Sequence, residues 1–496
     1  FDRLSPPFTI GADVYAQLPV DALRYFYLSR SGIELLPEYA GEAHARPAGH
    51  VSDDEVTCYR GTDADGVAWE GCDYILDVSG GWYDAGDYGK YVVNGGISVW
   101  TLLNLYERMP EAFPDGISNI PESGNGIADL LDEARWQMEW LLSMQVPSGN
   151  PQAGMAHHKL HDLEWEVLPL LPPTEFDNNN DFSEGNGRYV FPPTTAATYN
   201  LAATAAQCAR IWREIDSDFA TRCLDVAVTA FEAGQENPTA RLGNTPGSGG
   251  GNYGDEVISD ELFWAAAELF ITTGEDQYLE AMRRTPHLAV FGGLGKDSAM
   301  YWGDTAALGA LSLVLHSVDV PEITELRAQI VSTADDYLDT IASQGYRVPI
   351  TAYPWGSNSA VLNNAIIMAY AHDITGDERY LYGVSESMDY LLGRNALGFS
   401  FVSGYGEDAM TNPHHRFWAN EPGMGYPAPP PGVVAGGPNA APSDPTALDE
   451  IAEGVGPARR YVDARGSWST NEVTINWNAP LVWVSAYLHD VAQSMD

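Results

Sequence analysis

Apolar residues recur along much of the chain at three- and four-residue intervals, the period of a helix with one buried face. The pattern predicts amphipathic helices near 20–31, 94–108, 126–145, 195–214, 218–234, 259–274, 276–285, 304–317, 321–344, 358–375, 377–393 and 473–492. That is about twelve helices, enough for six hairpins. Asp21 before Ala22-Leu23, and Thr194 or Thr195 before Ala196, are the expected caps at helix starts. Gly32, Gly274 and Gly376 are the expected helix ends. Strand signals are few and short, so the expected fold class is all-α.

Between the helices run long stretches rich in Gly, Pro and aromatics, at 33–93, 146–193, 235–256, 345–357 and 394–470. Loops of that length on a helical scaffold are functional or disordered. These hold about half of the Trp, Tyr and His, which disordered segments lack. Pro427–Pro445 has the composition of a linker, but dense motifs flank it, so it is expected to be a surface loop of one domain. Residues 1–12 read as the residue of an interdomain linker and 13–496 as a single domain.

Charge narrows the partners. The 69 acidic residues outweigh 25 basic ones, for a net charge of −44, which excludes nucleic acid as a partner. The excess reads as a solvated acidic surface. No uninterrupted apolar run reaches the length of about 18 residues needed for a membrane span. The chain starts at Phe1 without a signal peptide, as a mature or trimmed fragment would. Its four cysteines form two local pairs, Cys58/Cys72 and Cys208/Cys223. Such spacing suits disulfides in an oxidising compartment. Zinc on Cys58 and Cys72, helped by His44 or His50, is the rival reading, although no CxxC is present. Cys208 and Cys223 lie in helical patterns and suit buried thiols.

Three motifs carry candidate chemistry. In DVSGGWYDAGDYGKYVVNGG, Asp77–Gly96, the carboxylates Asp84 and Asp87 are three residues apart and can converge on one water. A calcium loop or a capped turn fits the same spacing. In TNPHHRFW, Thr411–Trp418, His414 and Arg416 offer donors suited to sugar hydroxyls, or a structural cluster. In YVDARGSWSTNEVTINWNAP, Tyr461–Pro480, Glu472 opens an apolar helix between Trp468 and Trp477. A Glu against aromatic surface can be held neutral and act as a general acid, or it can simply interact with the helix dipole. A carboxylate pair, a separate Glu and abundant aromatics together are what glycoside hydrolysis needs.

The chain resembles the family 9 glycoside hydrolases over nearly its whole length, from DALRYFYLSRSGIEL at Asp21 to NAPLVWVSAYL at Asn478. GGWYDAGDYGKYV, LLDEARWQMEWLLSMQ, SDELFWAAAELFITTG, YPWGSN and GGPN carry the likeness, as do Tyr461, Asp463, Trp468, Glu472, Thr474, Asn478 and Ala479 in the Glu signature. The His signature matches at Pro413, His414 and Arg416 and departs at Asp408. The resemblance implies an (α/α)6 barrel and a secreted, inverting endo-β-1,4-glucanase acting on cellulose or a related β-glucan. An exo-acting enzyme is the alternative, with the stretch around Pro172–Gly187 as a candidate blocker of the cleft. By resemblance Asp87 is the general base, Asp84 helps hold the water and Glu472 is the general acid, with acid and base roughly 6.5–9.5 Å apart. His414, Arg416, Tyr301, Tyr353, Trp355 and Trp477 are expected to bind sugar. A structural Ca²⁺ is expected on Asp255, the carbonyl of Val257, Asp260, Glu261 and Asp304. Relatives that bind zinc use a Cys-His pair, and Cys58 and Cys72 lack the adjacent His, so zinc is not expected and a Cys58–Cys72 disulfide is. The resemblance also implies a monomer, and an immunoglobulin-like domain before Phe1 in the full-length protein.

Overall fold

In the helix Ser357–Thr375 every residue from Ser357 to Ala371 is buried. A helix with no polar face belongs inside a fold. The same holds from Val92 to Leu105, Thr195 to Ala209, Ala306 to Val314 and Ile475 to Leu488, and nearly so for Ser259–Thr273. Other helices bury a single stripe. Ile323–Ser343, for example, buries Ile323, Leu326, Ile330, Ala334, Tyr337 and Ile341. The computed structural model describes residues 11–173, 187–291 and 298–494, and sorts these helices into an inner and an outer layer.

Val92–Arg108 packs between Thr195–Trp212 and Ile475–Ser494. Thr195–Trp212 packs on Ser259–Thr273, which packs on Ala306–Leu315. Ser357–Thr375 lies against Ile475–Ser494, and the outer helix Ile323–Ser343 touches both it and Ala306–Leu315. Leu18–Leu28, Asp129–Ser143, Ser217–Glu236, Asp276–Arg283 and Glu378–Leu391 complete the outer layer. The result is an (α/α)6 barrel, and its axis is filled by side chains. Trp100 Nε1 donates to Glu268 Oε1 and Ser312 Oγ, both at 3.0 Å. Trp483 Nε1 donates to Asn104 Oδ1 (3.1 Å), whose amide donates to the Tyr370 hydroxyl (2.8 Å). Buried polar groups of this kind demand partners, so they fix how the inner helices register against one another.

Inner and outer helices alternate along the chain. The N-termini of all six inner helices therefore open at one end of the barrel, and the long loops gather there. The few strands belong to these loops. A three-stranded antiparallel sheet joins Lys90–Tyr91, Lys159–Asp162 and Arg188–Val190, with Lys90 opposite Leu160 and Asp162 opposite Arg188.

Three expectations need correction. Asp21 is not a cap: the first long helix starts at Leu18 with Pro19 in its first turn, and Asp21 accepts from the Tyr405 hydroxyl at 2.6 Å. Gly32 does not end that helix, which stops at Leu28, whereas the left-handed Gly274 and Gly376 do end theirs. Pro427–Pro445 is not a surface loop throughout. Residues 432–439 are buried, Val434 N–H donates to Asn478 Oδ1 (2.9 Å), and Asn358 Nδ2 donates to the Ala435 carbonyl (2.9 Å). Apolar Val433, Val434 and Ala435 carry this segment through the top of the barrel.

Cys58 and Cys72 are joined by a disulfide that closes the loop leading to Asp84. Cys208 and Cys223 are buried thiols facing each other between Thr195–Trp212 and Ser217–Glu236, with sulfurs 2.7 Å apart. Thiol counting on protein unfolded without reductant should therefore find no more than two of the four cysteines free. Four free thiols, or zinc at equal molarity by elemental analysis, would contradict the Cys58–Cys72 bond.

Candidate active site

The Asp77–Gly96 motif folds as an irregular turn running into the first inner helix. Lys90 pins it from beneath: its buried ammonium donates to the Val78 and Gly80 carbonyls, each at 2.8 Å, and pairs with Asp53 at 2.8 Å. Arg188 shares Asp53 (2.7 Å) and reaches Asp162 (3.2 Å). Without these anions the two buried cations would be untenable.

On this platform Asp84 is fully buried. Asn94, one turn into the helix, donates to both its carboxylate oxygens (3.0 Å each), and the Tyr253 hydroxyl donates to Oδ2 (3.3 Å). Asp87 accepts from Gly89 N–H at 2.6 Å. Glu472 sits at the entrance to the last inner helix, where the Ile475 N–H donates to the Asp84 carbonyl (2.8 Å) and the His414 segment pairs in parallel with Glu472. The three carboxyl groups thus face one space from the starts of two adjacent inner helices.

Gly86 makes this approach possible. A Cβ there would lie 2.3 Å from the His414 carbonyl oxygen and 2.8 Å from its ring. The Gly86 carbonyl accepts from the Arg416 N–H (3.0 Å) and from Arg416 Nη1 (2.9 Å). Arg416 also pairs with Glu166 at 3.1 Å. His414 donates from Nδ1 to the Arg465 carbonyl (2.7 Å), and burial pushes its pKa down to about 4. It is therefore a neutral imidazole with Nε2 available as an acceptor.

Burial raises all three carboxyl groups, but unequally. Asp84 is pushed up to about 8, by burial first and then by Asp87. Asp87 rises only to about 6, because the Arg416 guanidinium opposes its burial. Glu472 is held well above the ordinary carboxylate range by burial, then by Asp87 and Asp84. Between pH 6 and the next ionisation, then, Asp87 is the charged member and Glu472 carries a proton.

Among groups with an ordinary metal-ligand composition, His50, Asp162 and Glu166 have ligand atoms within 4.8 Å of one another and could hold a metal ion. Cations already occupy their surroundings, however. Arg188 lies on Asp162, Arg416 on Glu166, and Arg188, Lys90 and Arg46 all depress the His50 pKa after burial does. A divalent ion would enter against that charge. A different arrangement occurs at the start of Ser259–Thr273. Asp255 Oδ1 accepts from Val257 N–H (2.7 Å) and Asp260 Oδ2 from Thr305 N–H (2.9 Å). Asp255 Oδ2, Asp260 Oδ1 and both Glu261 oxygens are buried without an N–H or hydroxyl donor. Asp304 is placed nearby by its backbone pairing with Tyr301.

A family model described as Glycosyl hydrolase family 9 matches residues 15–485. The chain belongs to glycosyl hydrolase family 9. It is 44% identical over 530 residues to a "Cellulose 1,4-beta-cellobiosidase" of Acetivibrio thermocellus, covering 98% of this chain and 58% of that protein. It is 46% identical over 507 residues to "Endoglucanase C" of Cellulomonas fimi, covering 98% of this chain and 44% of that protein. The chain thus spans about half the length of these two curated relatives. The crystal structure of a family 9 endoglucanase, J30, superposes with a TM-score of 0.86 at 31% identity, covering 98% of this chain and 87% of that one.

In this family 9 chain the remaining expected sugar contacts divide in two. Trp355 and Tyr301 present half-exposed rings at the inner-helix end. Tyr353 and Trp477 do not. Tyr353 is buried against Tyr390, and Trp477 is buried over Gly356 and Gly436. Their role here is to pack the loops that carry Trp355 and Glu472. Trp165, 48% exposed and 5.7 Å from the Arg416 guanidinium, is an aromatic that the motifs did not single out. Asn94 and Tyr253 were missed as well. Asn94 lies inside the first motif, but its bond to Asp84 needs the helical turn that follows. Tyr253 precedes the acidic cluster by two residues, with no local sign that it reaches Asp84. The stretch around Pro172–Gly187 lies mostly outside the described residues.

Gly86→Ala tests the close approach directly. The added methyl would displace the His414 strand or the Asp87 turn, and a shift of about 1 Å at a catalytic centre costs roughly a hundredfold in rate. Activity should fall on that scale while circular dichroism still reports a helical protein. Unchanged turnover would mean that the turn and the His414 strand do not meet this closely.

Proposed function

We propose that this chain hydrolyses β-1,4-glycosidic bonds in cellulose or a related β-glucan, cutting within chains and inverting the anomeric centre. The observation that carries this reading is the division of ionisation among three convergent carboxyl groups, with Asp87 charged while Glu472 keeps its proton. Glu472 donates its proton to the leaving oxygen. Asp87 removes a proton from a water that attacks from the opposite face, and Asp84, held by Asn94 and Tyr253, helps orient that water. Neutral His414 and the half-exposed rings of Trp355 and Tyr301 border the sugar path. Family membership and the 46% identity to Endoglucanase C support endo action on a β-glucan.

The catalytic domain is assigned to 13–496, acting as a monomer outside the cell. The Cys58–Cys72 disulfide supports an oxidising location. Among the described residues no helix is long and apolar enough to cross a membrane.

Asp255, Asp260 and Glu261, with Asp304 beside them, fit a hard cation, because their buried carboxylate oxygens crowd together without donors. A bound Ca²⁺ would neutralise this cluster and fasten the loop carrying Tyr253 to the turn carrying Tyr301. Chelator should therefore lower the melting temperature, and added Ca²⁺ should restore it. No shift, together with no metal in elemental analysis, would remove the assignment.

The acid–base roles predict activity that rises as pH climbs through about 6, where Asp87 loses its proton, and falls again where Glu472 loses its own. Glu472→Gln should lose about 10²–10⁴-fold on natural glycans and far less on substrates with an activated leaving group. Asp87→Asn should fail on both. Proton NMR of the first product should show the α-anomer; a β-anomer would refute inversion. Viscosity that falls ahead of reducing-end release marks endo action, and the reverse marks an exo enzyme.

A further inference from the structure

Arg416 is committed before any substrate arrives. Nη1 donates to the Gly86 carbonyl at 2.9 Å, Nη2 donates to the Glu166 carbonyl at 2.9 Å, and Nε lies 3.1 Å from the Glu166 carboxylate. Both side chains are almost wholly buried, at 5% and 7% exposure, so water screens this pair weakly. Glu166 also reaches the other way. Its carboxylate lies within 4.8 Å of the Asp162 and His50 ligand atoms. Burial, opposed by Arg188, holds Asp162 well above the carboxylate range.

We propose that Glu166 is a positioning residue for the base: its carboxylate holds the Arg416 guanidinium against the Gly86 carbonyl and sets both the place and the charge of the Asp87 turn. This rests on Asp87 being the base. Unbalanced, Arg416 would make Asp87 a weaker base, and Glu166 offsets that. The groups facing Glu166 and its neighbour Asp162 are His50, Asp53, Arg188, Tyr88, Arg416 and Asp87. None of them lies among the acids of the proposed Ca²⁺ cluster.

The test is the acidic limb of the pH profile of kcat/KM on a soluble β-glucan, measured with melting temperature for the wild type and for Glu166→Gln, Glu166→Asp, Asp162→Asn and Asp87→Asn. Glu166→Gln removes the counter-charge of Arg416, so Asp87 should ionise more easily and the limb should move down by roughly half to one pH unit. Glu166→Asp keeps the charge and should leave the limb in place at reduced kcat. Asp162→Asn leaves the Glu166–Arg416 pair in place, so its limb should not move down. A limb unmoved in Glu166→Gln would overturn the positioning role, even if kcat or melting temperature falls. A downward shift in Asp162→Asn equal to that in Glu166→Gln would show that the shift does not come from the Arg416 counter-charge and would overturn the proposal. Should Glu166→Gln not fold, a limb displaced in Glu166→Asp, which preserves the charge, counts against the proposal. Asp87→Asn separates this from the parent reading: if it stays active Asp87 is not the base, whereas an inactive Asp87→Asn with an unmoved Glu166→Gln limb rejects Glu166 alone.

Discussion

The carbonyl oxygen of Gly86 accepts two hydrogen bonds from Arg416, a residue 330 positions further along the chain. Everything chemical in the molecule depends on that junction. On one side stands the turn holding Asp84 and Asp87. On the other, the segment through His414 pairs with Glu472, which leads into the last inner helix. Neither segment has regular structure of its own to hold it. The Asp84 turn is fixed by the inner helix it enters and the His414 segment by its pairing with Glu472, and the two meet because those helices are neighbours in the ring. Gly86 lets the chains touch, and Arg416 keeps them touching.

That contact brings charge into a space with little water, and the surroundings answer by pairing. Lys90, Arg188, Asp53 and Asp162 form one buried cluster beneath the turn, and Arg416 with Glu166 forms a second beside it. Replacing such clusters with apolar side chains would not weaken a fold of this kind on energetic grounds alone. Here they do what apolar groups cannot: they hold the Val78, Gly80 and Gly86 carbonyls at fixed points. The acidic surface and the cationic interior are two sides of one distribution, since several of the few basic residues are spent under the site.

The helices were legible in the sequence because periodicity is local. The stretch expected at 358–375 is Ser357–Thr375, and that expected at 195–214 is Thr195–Trp212, capped by Thr194. The division into layers was not legible: the periodicity predicts one buried face for every helix, whereas Ser357–Thr375, Val92–Arg108 and the other inner helices are buried nearly all round. The carboxylates at 84, 87 and 472 stood out through their motifs. What could not be read was whatever joins distant segments. Glu166 and Arg416 lie 250 residues apart, and Arg188 and Asp53 lie 135 apart, with no pattern to link them. The burial of residues 432–439 was hidden by a composition of Pro and Gly that also suits a linker, although Val433-Val434-Ala435 was a small apolar signal against it. Tyr353 and Trp477 looked like sugar platforms because aromatic type does not tell which face is covered.

Placement near helix N-termini, where the helix dipole stabilises negative charge, does not explain the state of the carboxylates, and magnitudes show why. The dipole contributes about 0.3–1 kcal/mol, and about 2 kcal/mol in partly buried cases. Asp84 moves from 3.8 to about 8, toward the neutral form. At about 1.4 kcal/mol per pH unit that is a far larger effect of the opposite sign. Desolvation and the neighbouring Asp87 therefore dominate, and the dipole only moderates them. Asp87 escapes about half of the shift because Arg416 opposes its burial, and Glu472 does not escape because Arg416 opposes only a part of what burial and two Asp neighbours impose. The Arg416 guanidinium, first among the charges that oppose the burial of Asp87 but outweighed at Glu472, helps carboxyl groups of similar intrinsic acidity to differ in role. The barrel supplies the enclosure in which such a difference of placement counts.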